Sequence, residues 1–153
     1  MLETPHVVVG IALATKFQNP IIAVPLALAS HFVLDKVPHW NPHTFTETMK
    51  SGHPSKSTIA ITLVDITIAL ISGLTFAYTA LPNQTLALTI LTCCFASVLP
   101  DVSKYPFFLF KATRQGVYRK WVEYERSLQV ETARPFLGIL SQVVTILVAL
   151  YFI

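Results

Sequence analysis

The sequence predicts an all-α protein: a polytopic membrane bundle of about five helices plus one interfacial amphipathic helix, forming a single domain over residues 1–153. Three observations predict it. Charged residues are 12% of the chain (11 Lys or Arg, 8 Asp or Glu), against about 25% in an ordinary soluble domain. Hydrophobic residues are 53% of the chain, and mean hydropathy is +0.58. The apolar residues fall in long runs, with the charges gathered between them. Such a chain has too few polar groups to cover a soluble globule. It is also too apolar for a disordered chain, and with two cysteines it is no disulfide scaffold.

The elements follow in order. An apolar run at 5–17 makes a short first helix, and Asn19-Pro20 turns the chain into a second over 20–37, with Pro25 inside it. These two form a tight hairpin. A polar loop, 39–57, leads to the longest run, 58–81, which contains one charge, Asp65. Leu81-Pro82-Asn83 then turns into a fourth helix over 84–99, ended by Pro100. Cys93 and Cys94, adjacent within it, read as small apolar fillers. The run at 135–153 carries no charge and reads as a plain span. No cleavable signal peptide is expected, since MLETPH has no basic n-region.

Residues 104–131 differ from the rest. Val117, Trp121, Tyr124 and Leu128 recur at helical spacing, with Arg119, Lys120, Glu123 and Arg126 on other faces. This predicts an amphipathic helix lying among lipid headgroups or packing on the bundle. Seven of the eleven basic residues lie between Lys104 and Arg134, and Lys36, Lys50 and Lys56 lie in or beside the 39–57 loop. The positive-inside rule then puts both connections and the N-terminus in the cytoplasm, with the C-terminus outside a bacterial-type inner membrane. The basic segment is expected to meet anionic headgroups. Nucleic acid is not an expected partner, because the bases flank apolar spans.

This topology places the ionisable groups. His6 opens the first helix, His31, Asp35 and His39 close the second, and Asp101 closes the fourth, all at the cytoplasmic face. Asp65 lies about eight residues into the third helix, roughly 12 Å below its start. All six share one layer, which suggests a common metal or proton site. His31 and Asp35 are four apart and share a helix face. Imidazole and carboxylate at that spacing suit a divalent metal, Zn²⁺ first and Mn²⁺ second. Asp65 is costly in a membrane and needs a partner or a proton. It can equally be a hydrogen-bonded acid that fixes helix packing. His43 and His53 read as loop residues. The helix ends ASHFVLD (29–35) and ASVLPD (96–101) echo one another faintly, as if each closed a hairpin with an aspartate.

Thr4-Pro5-His6 with Gly10, SHFVLDKVPHW (30–40) and Leu99-Pro100-Asp101 resemble the bacterial membrane-bound metal-dependent hydrolases, small multi-helix inner-membrane proteins. The resemblance covers about the first 105 residues. It implies that His6, His31, Asp35 and Asp101 are the motif residues and metal ligands. Two departures stand out: Ser103 occupies the place of a second acid, and the loop HWNPHTFTETMKSGHPSKS lacks the family's His-Arg-Gly and Thr-His-Ser block. The leading expectation is a metal-dependent hydrolase acting at the cytoplasmic leaflet on a lipid or phosphoester. Asp65 or His39 would orient the site or act as general base toward water. The alternatives are a small proton-coupled transporter using Asp65 and a non-catalytic membrane adaptor using residues 104–134.

Overall fold

The short hairpin at the N-terminus organises the molecule, and the reason is the size of its side chains. In the computed structural model, which describes residues 1–132 and 134–153, α1 (Glu3–Phe17) packs against α2 (Pro20–Leu34), α4 (Lys56–Thr79), α5 (Gln84–Val102) and α8 (Pro135–Tyr151). Ala14, Ala23, Ala27 and Cys93 are fully buried where these helices meet, so backbones approach closely. Gly10 marks the closest approach, since a Cβ there would stand 2.9 Å from the Cys93 carbonyl oxygen.

The turns follow local chemistry. Gln18 adopts a left-handed conformation to end α1, and the Asn19 side chain accepts from Ile21 N at 3.0 Å to start α2. Asn83 caps α5 in the same way, accepting from Leu86 N at 3.0 Å. Ser55 caps α4, and Glu47 in turn accepts from Ser55 N at 2.6 Å.

The all-helical expectation holds, and among the described residues the only β pairing is a single parallel bridge, His39 with Glu131. The five-span count does not carry over by length. Among the described residues, only α4 and α5 are long and apolar enough to cross a membrane. Helices α1 and α2 have 15 residues and α8 has 17, so they cover about 22 to 26 Å against a hydrocarbon core of about 30 Å. Boundaries also shift. Helix α2 stops at Leu34 because Pro38 forces the chain out of helix, whereas α5 continues through Pro100, where only one carbonyl loses its donor. The 39–57 loop contains an unforeseen helix, α3 (Thr44–Ser51).

Residues 104–131 are three pieces. Helix α6 (Tyr105–Leu109) is followed by a 3₁₀ turn (Lys111–Thr113) and then by α7 (Gly116–Leu128). Of the expected stripe, Val117, Trp121 and Tyr124 are exposed and Leu128 is half-buried, and the flank about 100° round the helix, Val122 and Glu125, is buried. After α7 the chain zips onto the segment that follows α2. Val130 N donates to Asp35 O at 2.8 Å, His39 N to Val130 O at 3.1 Å, and Thr132 N to His39 O at 2.8 Å. This strap brings α7 over the ends of α1, α2 and α5.

Candidate metal centre

His31 sits on the last turn of α2 and Asp35 at its C-cap, one turn apart, as their spacing requires. The Nδ1–H of His31 donates to the carbonyl oxygen of Ser97 at 2.8 Å. A carbonyl can only accept, so Nδ1 holds a proton and Nε2 is the nitrogen turned toward the carboxylates. That atom stands 3.4 Å from Asp35 Oδ2 and 3.5 Å from Glu125 Oε1. Neither His31 Nε2 nor Asp35 Oδ2 has a hydrogen-bond partner, although both are buried. Two carboxylates facing this nitrogen in a buried site call for positive charge there, carried either by a bound cation or by a proton on Nε2.

His6, on the first turn of α1, stacks its ring on that of His31 with centroids 4.2 Å apart. Its Nε2 lies 3.4 Å from Asp35 Oδ1, and both of its ring nitrogens are buried without a hydrogen-bond partner. Ligand atoms of His6, His31 and Asp101 lie within 4.8 Å of one another, as do those of His31, Asp35 and Glu125. His31 belongs to both groups. Donors about 2.0–2.2 Å from a tetrahedral centre stand about 3.3–3.6 Å apart, so the 3.4 and 3.5 Å separations fit a zinc-sized ion.

Positive charge already borders this cluster. The α-ammonium of Met1 is paired with Asp35, and Leu2 N donates to Gln142 Oε1 of α8 at 2.8 Å. Lys104 bridges Asp101, at 2.5 Å, and Glu125. Burial disfavours its charged form, but the two carboxylates outweigh this and hold its pKa above the ordinary lysine value. Burial also opposes ionisation of Glu125, yet contact with His31 and the Lys104 charge hold its carboxyl below the usual range.

The four expected ligands, His6, His31, Asp35 and Asp101, are thus gathered at one end of the bundle. His39 has left the helix but still approaches, its Nε2 3.8 Å from Asp35 Oδ1. Its Nδ1–H donates to Val37 O at 2.8 Å and its Nε2 accepts from Asn41 Nδ2 at 3.2 Å, while burial lowers its pKa. Asp65 plays a different part. Its carboxylate accepts from Glu3 N at 2.6 Å, Thr4 N at 3.2 Å and Thr4 Oγ1 at 2.6 Å. It therefore caps α1 from a distant helix and orients the turn that carries His6, with both oxygens engaged. His53 is turned toward Pro54 in the loop.

Glu125 was not anticipated from the sequence. Its signal was the second face of α7: Val122, Glu125 and Gln129 recur at i, i+3 and i+7, about 100° round the helix from the aromatic stripe. Comparison with family models, with curated proteins and with solved structures returns no match. What the fold and the cluster define is an all-helical bundle with a buried imidazole–carboxylate centre at one end.

Proposed function

We propose that this chain is a membrane-embedded, metal-dependent hydrolase whose centre, at one end of the bundle, acts at the cytoplasmic face on a lipid or phosphoester. One observation carries the reading: the unpartnered His31 Nε2 faces the Asp35 and Glu125 carboxylates at 3.4 and 3.5 Å in a buried site. His6, His31, Asp35, Asp101 and Glu125 would hold the ion, Zn²⁺ first and Mn²⁺ second, which supplies Lewis acidity for hydrolysis. His39, whose Nε2 accepts from Asn41 Nδ2 and stands 3.8 Å from Asp35 Oδ1, would be the base toward water once Asn41 yields that nitrogen. Lys104 balances the surplus of carboxylates, and Ser97 fixes the His31 tautomer.

Embedding in a bilayer is supported by the outer surfaces of the helices. Ile59, Leu63, Val64, Leu70, Ile71 and Leu74 of α4 are exposed, and Phe136, Leu147 and Val148 of α8 are too. A surface this apolar calls for lipid. The cytoplasmic assignment rests on the seven bases between Lys104 and Arg134. The motifs at Thr4–His6, Ser30–Trp40 and Leu99–Asp101 favour the same reaction class through their resemblance to the membrane-bound metal-dependent hydrolases.

A proton-coupled carrier working through Asp65 has less support, because that carboxylate is committed to the start of α1. The hydrolase reading is tested with purified protein, lysophosphatidic acid as substrate and phosphate release as readout. Release that depends on added Zn²⁺ or Mn²⁺ and disappears with chelator or Glu125→Ala is the expected result. Release indifferent to both would overturn it.

A further inference from the structure

Beside the metal cluster lies a polar cavity of about 130 Å³, walled by Asp101, Lys104, Tyr105, Arg126, Asn41 and Glu3 among others. A second cavity, about 260 Å³ and almost wholly apolar, runs between α4 and α5 past Ala69, Gly73, Leu74, Leu91 and Phe95. Glu3 and Tyr105 line both. They form the neck between them, where the Tyr105 hydroxyl donates to Glu3 Oε1 at 3.2 Å. Along α5 the groove extends from Val102 back to Leu91, about 16 Å at the helical rise. Gly73 keeps it open, since a Cβ there would already stand 3.2 Å from Cys94 Sγ. Glu3 Oε2, at the neck, is buried with no hydrogen-bond partner.

We infer that these two spaces are one seat for a single-chain phospholipid: the phosphate head lies in the polar cavity and its one acyl chain in the α4–α5 groove. This rests on the hydrolase reading and gives it a substrate class. Each part of the seat matches a part of such a lipid. At about 260 Å³ the groove has room for one chain. The orphaned Glu3 oxygen accepts from the free glycerol hydroxyl, which a lysolipid keeps and a diacyl lipid has esterified. The cavity wall carries the cations of Met1, Lys104 and Arg126 and the carboxylates of Glu3, Asp65, Asp101 and Glu131; Arg126, its guanidinium 4.6 Å above the Phe45 ring and 3.6 Å from Glu131, is the base that the centre's own carboxylates do not pair. The lipid enters sideways from the bilayer between α4 and α5 and brings its phosphate up to the metal cluster.

The test uses the full chain in phosphatidylcholine nanodiscs and a lysophosphatidic acid carrying a diazirine at the end of its chain, with cross-links mapped by peptide mass spectrometry. Labelling of α4 and α5 around Leu74, Leu91 and Phe95 should saturate, while labelling of α8 around Leu147 should rise without limit as ordinary bilayer contact. Unlabelled lysophosphatidic acid should compete at about tenfold lower concentration than lysophosphatidylcholine, and glycerol 3-phosphate should not compete. Gly73→Leu, and independently the rim variant Leu74→Trp, should abolish the saturable label and leave the α8 label as the check on folding. Groove labelling that does not saturate, equal competition by lysophosphatidylcholine, or a saturable label that survives both variants would overturn the seat. Metal content and phosphate release, measured on the same samples, separate the two readings. Saturable labelling of metal-free, inactive protein keeps the seat and removes the hydrolase. Metal-dependent release from glycerol 3-phosphate without groove labelling does the reverse.

Discussion

The Nδ1–H of His31 donates to the backbone carbonyl of Ser97 across the α2–α5 interface, at 2.8 Å. That contact joins fold to chemistry. It is made possible by the small residues that let α1, α2 and α5 approach, and it fixes which imidazole nitrogen faces Asp35 and Glu125. A change in helix spacing should therefore be read out at the centre.

Gly10→Ala tests that link. Its Cβ would stand 2.9 Å from the Cys93 carbonyl oxygen and 3.1 Å from Ser97 Oγ, both on α5. Moving α5 away should lower stability by about 1–3 kcal/mol, measured by denaturant titration in detergent. It should also weaken metal binding in a competition titration, although Gly10 offers no ligand atom.

Glu125→Gln removes one carboxylate facing His31 and one partner of Lys104. Metal affinity should fall about 10- to 100-fold or more, with helix content by circular dichroism unchanged. Unchanged affinity would take α7 out of the centre.

Asp65→Ala strips the cap from α1. The expected cost is about 1–2 kcal/mol of stability, the usual value of a lost helix cap, with metal stoichiometry retained because Asp65 is not a ligand. Complete loss of metal in a variant that still folds would contradict this division of labour.

The sequence made the apolar runs legible, along with the hairpin turns at Asn19 and Asn83 and the gathering of His6, His31, Asp35 and Asp101. These are local patterns: caps, spacing and the scarcity of charge. Glu125 and the strap at 129–132 were out of reach, because they depend on where a polar segment folds back. One face of α7 was visible in the sequence, and the other acquires meaning only once Val130 pairs with Asp35 and His39. Asp65 was legible as an anomaly. Its partners, the backbone donors of Glu3 and Thr4, carry no side-chain signature apart from the Thr4 hydroxyl. The last helix read as a plain span, yet its Gln142 is buried and binds both Leu2 N and the Trp40 carbonyl at 2.8 and 2.9 Å.

The exposed stripe of α7 predicts a surface phenotype. Trp121→Ala with Tyr124→Ala should leave metal binding intact and weaken contact with anionic headgroups. In a Trp40→Phe background, Trp121 fluorescence should be quenched more strongly by lipids brominated near the headgroup than by those brominated near the chain end.

Elemental analysis of the purified chain, wild type against the His31→Ala/Asp35→Ala double variant, addresses the candidate metal centre most directly. About one divalent ion per wild-type chain and none in the variant is the predicted result. Equal metal in both proteins, or none in either, would contradict it.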